Sequence, residues 1–173
     1  MLHVYTGDGK GKTTAAIGLA IRALGWGKKV FIIQLLKGWE TGEKRLFEYL
    51  ASQGYPLKHV YSGPEKFINL ESPPPEIVRE VNRVLDNAIS EIIKMKPDLI
   101  IVDEINVALA YGIVPLNKAY KLIDLADKIG AELVFTGRKA PKEIIERADL
   151  VTEMRKVKHY FDKGVFARKG IEF

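Results

Sequence analysis

Short runs of β-branched and apolar residues alternate along the chain with stretches whose apolar positions repeat at helical spacing. The runs are His3–Tyr5, Val30–Leu36, His59–Tyr61, Leu99–Val102, Leu133–Phe135 and Leu150–Met154. This alternation predicts an α/β fold, a mostly parallel sheet with helices on both faces in three layers. Val30–Leu36 and Leu99–Val102 are apolar at nearly successive positions instead of every second one. Strands of that kind are covered on both sides, which places these two at the centre of the sheet.

Glycine closes several of the helical stretches. Thr13–Leu24 stops at Gly25, Glu43–Ser52 is followed by Gly54, and about Leu116–Ile129 stops at Gly130. Glycine accepts the left-handed conformation that ends a helix. The clearest period follows Pro73–Pro75, with Ile77, Val78, Val81, Val84, Leu85 and further apolar positions to Ile93. That stripe is core packing. A short helix is expected after Pro141, and Phe161–Phe166 reads as a turn between extended segments. No repeat, linker or low-complexity stretch intervenes, so residues 1–173 are read as one domain.

Composition narrows the class. With 47% hydrophobic and 28% charged residues over 173 positions, the chain has the balance of a folded domain able to bury a continuous core. It has no cysteine. Disulfides, thiolate zinc sites and cysteine nucleophiles are thereby excluded, which fits the cytoplasm. No apolar run is long enough for a bilayer, and residues 1–30 lack the layout of a signal peptide. The formal charge of +5 first suggests nucleic acid. Six basic residues against Asp162 and Glu172 in residues 155–173, however, place four of the five surplus charges in one short tail. Nucleic-acid binders usually spread such charge along a face. By charge alone a solvated basic terminus and an anion-binding role stay open; the resemblance described below makes the tail part of a small-molecule site or its closing wall.

The strongest motif lies near the start: His3-Val-Tyr-Thr-Gly7-Asp8-Gly9-Lys10-Gly11-Lys12-Thr13-Thr14. A strand runs into a glycine-rich loop, and Gly-Lys-Thr opens a helix. Glycines let backbone N–H groups curl around an anion, and the helix amino end adds its positive dipole. Lys12 is then a phosphate lysine, and the Thr13 hydroxyl a Mg²⁺ ligand. The loop is shorter than the general phosphate-loop pattern, because Thr6 stands where the first glycine belongs and Gly7 comes one residue later. A carboxylate at the end of a buried strand should complete the site, and Leu99-Ile-Ile-Val-Asp103-Glu104 supplies it. ATP and Mg²⁺, with Mn²⁺ as a substitute, are the implied ligands. The Asn-Lys-x-Asp signature that selects guanine is absent.

A loop and a carboxylate specify a triphosphate without specifying a reaction. Asp103 and Glu104 could orient an acceptor hydroxyl or a water equally well, and His3, His59 and His159 belong to no visible triad. The residues alone stop at an ATP-binding enzyme of the phosphate-loop type.

Further segments resemble the phosphate-loop type of ATP:cob(I)alamin (corrinoid) adenosyltransferases. They are Val4–Ala16, Ile33-Gln-Leu-Leu-Lys37-Gly38, Val102–Ile105, Phe135-Thr-Gly-Arg138, Ala148–Glu153, Val157-Lys-His-Tyr-Phe-Asp-Lys-Gly-Val165 and Lys169-Gly-Ile171. The similarity covers nearly the whole chain. The shortened loop and the Val-Lys-His-x-Phe-Asp-x-Gly-Val tail are its most specific pieces. The resemblance implies a RecA-like phosphate-loop NTPase fold with an unusual use of the loop. Co(I) attacks the 5′-carbon of ATP and expels the whole triphosphate, with the nucleotide held reversed compared with ordinary ATPases. Because Co(I) is itself the nucleophile, no residue need remove a proton. By the same resemblance Gly7–Thr13 form the phosphate loop with Thr14 following. Lys12 acts on the phosphates, Thr13 and Glu104 hold Mg²⁺, and Asp103 assists the metal. Arg138 reaches phosphate, and Lys37 with Gly38 faces the corrinoid. A homodimer and a flavodoxin-like electron donor are expected, with neither nucleic acid nor membrane as partner.

Two departures stand out. Enterobacterial members carry an N-terminal extension over the active site, whereas here the first strand begins at once, so closure is expected from elsewhere, such as a partner subunit. Those members also carry a Gly-Phe-Thr-Trp segment whose aromatics displace the lower cobalt ligand. Here the stretch reads Ser62-Gly-Pro-Glu-Lys-Phe67-Ile-Asn, which leaves Phe67 as the aromatic candidate. The competing readings are a small metabolite kinase or ATPase of the phosphate-loop class, and a non-enzymatic ATP-dependent module that uses the basic tail on nucleic acid.

Overall fold

The computed structural model describes residues 1–65 and 68–173. Six strands form one sheet: β1 Leu2–Thr6, β2 Val30–Gln34, β3 Leu57–Tyr61, β4 Leu99–Asp103, β5 Glu132–Thr136 and β6 Leu150–Glu153. Their order across the sheet is β3-β2-β4-β5-β1-β6, and every pairing is parallel. The α/β expectation holds, and the parallel character is complete. β2 and β4 are buried at all five positions and lie side by side, as their uninterrupted apolar runs require.

The helices are α1 Lys12–Gly25, α2 Gly42–Ser52, α3 Pro75–Met95, α4 Ile105–Ala110, α5 Leu116–Ile129 and α6 Lys142–Arg147. Alternate residues of the central strands sort them into two layers. Val30, Ile32, Leu99, Ile101 and Val134 pack with Ala16, Ala20 and Leu24 of α1 and Phe47 of α2. Phe31, Ile33, Ile100, Val102 and Phe135 face the other way, onto α3, α4, α5 and Ile144 of α6. The period-2 alternation of a strand thus serves two cores at once. Along α3 the stripe narrows to Val81, Leu85, Ala88 and Ile92, whereas Ile93 points outward. In α2 only Phe47 of the apolar positions is fully covered; Leu46 and Tyr49 are exposed.

One element escaped the sequence pattern, and one expectation needs correction. Helix α4 is not visible in the sequence pattern, because six residues span less than two turns and show no period. After β6 the chain forms no further strand among the described residues. Tyr160–Lys163 is a single 3₁₀ turn closed by Gly164 at φ +81 instead of a turn between extended segments. β6 has β1 on one side only and is exposed throughout, so it offers the tail no covered face to extend. No helix among the described residues is long and apolar enough to cross a membrane.

Candidate active site

Parallel strands direct all their carboxyl ends to one edge of the sheet, and the phosphate loop, Asp103, Glu104 and Thr136 all lie there. In open α/β sheets this edge is where ligands bind. The loop leaves β1 through Gly7 at φ +94 and enters α1 through Gly11 at φ +124. Gly9 approaches the chain leaving β6 so closely that an added Cβ would stand 2.7 Å from the Met154 oxygen. The Gly9 amide donates to that same oxygen at 2.6 Å. No side chain caps the amino end of α1, which leaves its helix-dipole end open to an anion. The Lys12 ammonium folds back onto the loop and donates to the carbonyls of Gly7 and Gly9, both at 2.7 Å. Burial and then the Arg138 charge hold its pKa below the usual lysine value. An anionic phosphate would relieve both effects.

Beneath the loop lies a buried polar floor centred on Asp103. Its Oδ1 accepts from Thr13 Oγ1 at 2.8 Å and Thr136 Oγ1 at 2.5 Å. Its Oδ2 accepts from Lys37 Nζ at 2.7 Å and Gln34 Nε2 at 3.2 Å. Both lone-pair positions on each oxygen are taken. Burial alone would raise the Asp103 pKa, but the Lys37 charge and the hydrogen bonds from Lys37, Thr136 and Thr13 overcome it and hold the carboxyl below its usual range. Burial opposes the charge on Lys37 in the same way, and Asp103 and Glu104 overcome it, raising the Lys37 pKa. The two form a charged pair.

Glu104 follows in the left-handed conformation, φ +62, as the residue leading into α4. Its amide donates to Thr136 Oγ1 at 3.0 Å. The turn brings its carboxylate to the cavity wall, 4.0 Å from the Lys37 ammonium. Burial there and the nearby Asp103 charge raise its pKa. Above this floor opens a cavity of about 590 Å³. The phosphate loop, Glu104 and Arg138 line it together with the apolar residues Leu36, Trp39, Leu70, Val107 and Tyr111. Arg138 is exposed and has no hydrogen bond or ion pair with any described residue.

Of the residues expected from the sequence, Asp8, Gly9, Lys10, Gly11, Lys12, Thr13, Thr14, Lys37, Glu104 and Arg138 all line this cavity, with Asp103 directly below. Lys37 is turned toward Thr13 and Asp103. Gly38 does not line the cavity. An added Cβ there would meet the Gly63 oxygen at 2.2 Å, so the glycine is required by close backbone packing. Lys10 reaches away from the loop centre and donates to Tyr160 Oη at 2.8 Å, the Ile171 carbonyl at 3.1 Å and Glu172 Oε1 at 2.6 Å. Phe67 lies outside the described residues.

Three features escaped sequence reasoning. Thr136 and Gln34 hold Asp103 because Gln34 stands opposite it in register and Thr136 lies one step beyond the Val102–Phe135 pair. Only strand order reveals this. Lys44 donates to the carbonyls of Lys37 and Trp39 at 2.9 and 2.7 Å, and its ammonium sits 3.6 Å from the Tyr61 ring centroid. The tail is the third. His159, Ile171 and Glu172 reach the cavity wall, and Arg168 bonds Glu172 and stacks 4.9 Å from the Tyr160 ring. The tail thus walls the site through His159, Ile171 and Glu172, and none of its Lys or Arg lines the cavity; Lys156 pairs with Asp162 in the tail itself.

Comparison with known proteins agrees with this geometry. The family described as ATP:corrinoid adenosyltransferase BtuR/CobO/CobP matches residues 1–173. A corrinoid adenosyltransferase of Escherichia coli (strain K12) is 36% identical over 177 residues, covering 100% of this chain and 85% of the relative. The corrinoid adenosyltransferase CobA of Salmonella typhimurium is 33% identical over 175 residues, covering 100% and 85%. One from Pseudomonas aeruginosa is 35% identical, covering 100% and 83%. The family match over residues 1–173, with these relatives at 33–36% identity, places this protein in the ATP:corrinoid adenosyltransferase family.

Proposed function

We infer that this protein transfers the 5′-deoxyadenosyl group of ATP to the cobalt of a corrinoid. The Co(I) electron pair forms the cobalt–carbon bond, and the C5′–O bond breaks with its pair leaving on triphosphate. The observation that carries this reading is a cavity lined by both an anion-ready loop and apolar residues, in which the Glu104 carboxylate, without a hydrogen bond among the described residues, is taken up by the metal role given to it below. Asp103 is saturated, and His159 Nδ1 accepts from the Phe161 amide. His59 hydrogen-bonds Gln34 at 3.0 Å, and burial followed by the Lys44 charge lowers its pKa to about 4. A reaction whose nucleophile is the substrate's own metal needs none of them as base. What the chain supplies is position and charge. Lys12, Arg138 and the amino end of α1 bind the triphosphate and stabilise the charge that grows on it as it departs.

The donors available for Mg²⁺ are the Thr13 hydroxyl and the carboxylates of Asp103 and Glu104. These hard oxygens suit Mg²⁺ or Mn²⁺. Glu104 and Thr13 would hold the ion, and Asp103, with its acceptor sites filled, would orient Thr13. When bound, the metal neutralises triphosphate charge. Supporting the rest of the reading are the all-parallel sheet and the strand–loop–helix placement of Gly7–Thr14, which fit a single RecA-like domain of the phosphate-loop NTPase class. The apolar lining near Lys37 and Trp39 is the proposed corrinoid side. A flavodoxin-like reductase delivers the electron in the cytoplasm, and a second copy completes a homodimer.

Incubation with ATP, Mg²⁺ and chemically reduced cobalamin should yield a light-sensitive adenosylcobalamin spectrum and inorganic triphosphate. Release of ADP with phosphate, and no cobalt–carbon product, would instead identify a metabolite kinase or ATPase.

A further inference from the structure

We propose that Lys37 is a resident cation that keeps the metal position filled until nucleotide arrives, so that divalent metal enters only together with a triphosphate. This rests on the reading of Thr13 and Glu104 as the metal's ligands, with Asp103 orienting Thr13. The Lys37 ammonium lies 3.2 Å from Thr13 Oγ1, 2.7 Å from Asp103 Oδ2 and 4.0 Å from Glu104 Oε1. One positive charge thus stands beside both groups that would hold a second one, Thr13 and Glu104, and against the carboxylate that orients Thr13. An ammonium and a divalent ion repel strongly at such distances, so Lys37 must withdraw before the metal binds.

The surroundings fix the base of this side chain and leave its arm free. Leu36 takes φ +61, a conformation that disfavours any residue with a Cβ, and thereby turns the chain so that Lys37 faces the floor. The Lys37 amide donates to the Ser62 carbonyl at 3.0 Å, and Gly38 to Pro64 at 3.0 Å. Lys44 grips the Lys37 carbonyl from the other side. The side chain retains 16% exposure on the cavity wall, against 2% for Asp103. A long, flexible arm on a clamped backbone can leave by rotation about its own bonds. Triphosphate in the cavity would both repel the carboxylates and give the ammonium a new anionic partner, so its arrival and the metal's become one event. A lysine that only neutralised Asp103 from outside the metal position would leave nucleotide-free metal binding unchanged when its charge is removed.

The test uses Mn²⁺ as probe on the full chain without corrinoid or turnover, reading protein-bound Mn²⁺ by its paramagnetic resonance signal after separation from free Mn²⁺ and Mn²⁺–ATP. Wild type should hold Mn²⁺ with ATP and hold it at least about tenfold more weakly without. Lys37→Met should bind Mn²⁺ without nucleotide at least about tenfold more tightly than wild type, and adding Thr13→Val should abolish the gain. Lys37→Arg, which keeps charge and reach, should behave as wild type. Equal Mn²⁺ affinity of wild type with and without ATP overturns the proposal and needs no variant that might misfold. So does a Lys37→Met protein with native circular dichroism and no gain, while wild type still binds Mn²⁺ with ATP; the metal assignment then survives. If no form binds Mn²⁺ under any condition, the metal assignment itself fails, and the proposal with it.

Discussion

The floor of the site and its cover are built on opposite physical terms. Asp103 lies on a central strand, its side chain 2% exposed, with partners from α1, β2, β5 and the turn after β2. The cover is a tail of mostly exposed residues, held to the phosphate loop through Lys10, Tyr160, Arg168 and Glu172 at the surface. Buried polar networks are costly to break, because an abandoned partner stays desolvated. Exposed ion pairs compete with water and contribute little. The floor is therefore set when the chain folds, the Lys37 arm excepted, and the cover is free to respond to ligands.

The largest effect that would sharpen this contrast is on activity alone. Lys12→Ala should reduce adenosyl transfer by about 100-fold or more while circular dichroism and unfolding midpoint stay near wild type. Retained activity would remove the loop from the mechanism. Asp103→Ala should cost about 3 kcal/mol in denaturant unfolding, since it leaves the Lys37 charge without its partner in the floor. Thr136→Val, which removes a single hydroxyl from that floor, should cost about 1–2 kcal/mol in the same measurement. His59, behind Gln34, offers a titration of the same region. Its pKa of about 4 lies below the unfolded value near 6.5. The unfolded chain then binds the proton first as pH falls from about 6.5 to 4, so stability declines across that window. His59→Gln should flatten that decline; an unchanged slope would place its origin elsewhere. The smallest stability effect belongs to the cover. Glu172→Gln should leave the unfolding midpoint unchanged but speed protease cleavage after residue 155, and ATP should slow it again. A midpoint shift as large as that of Thr136→Val would dissolve the distinction between floor and cover.

The fold was legible because its signals are local or periodic. Six strand runs, the α3 stripe and the doubly apolar β2 and β4 need no knowledge of one another, and each found its place. Helix α4 escaped because it is too short to show a period, and the tail because its shape depends on Lys10, 150 residues before Tyr160. In the site, the Gly-rich loop and Asp103-Glu104 announce themselves by residue type beside a strand. Thr136 and Gln34 do not, since a threonine and a glutamine at strand ends are ordinary until parallel register sets them against a carboxylate.

The chain by itself determined the class of chemistry: glycines, a lysine and a hydroxyl at fixed spacing can cradle a phosphate wherever the segment folds as strand, loop and helix. Only the tertiary structure decided which charges meet. In the sequence Lys37 stands out only by the resemblance, on the corrinoid side, and it becomes the partner of Asp103 because β2 and β4 are neighbours and their ends coincide. Pairing across a sheet is a property of strand order, which residue spacing within one strand cannot encode.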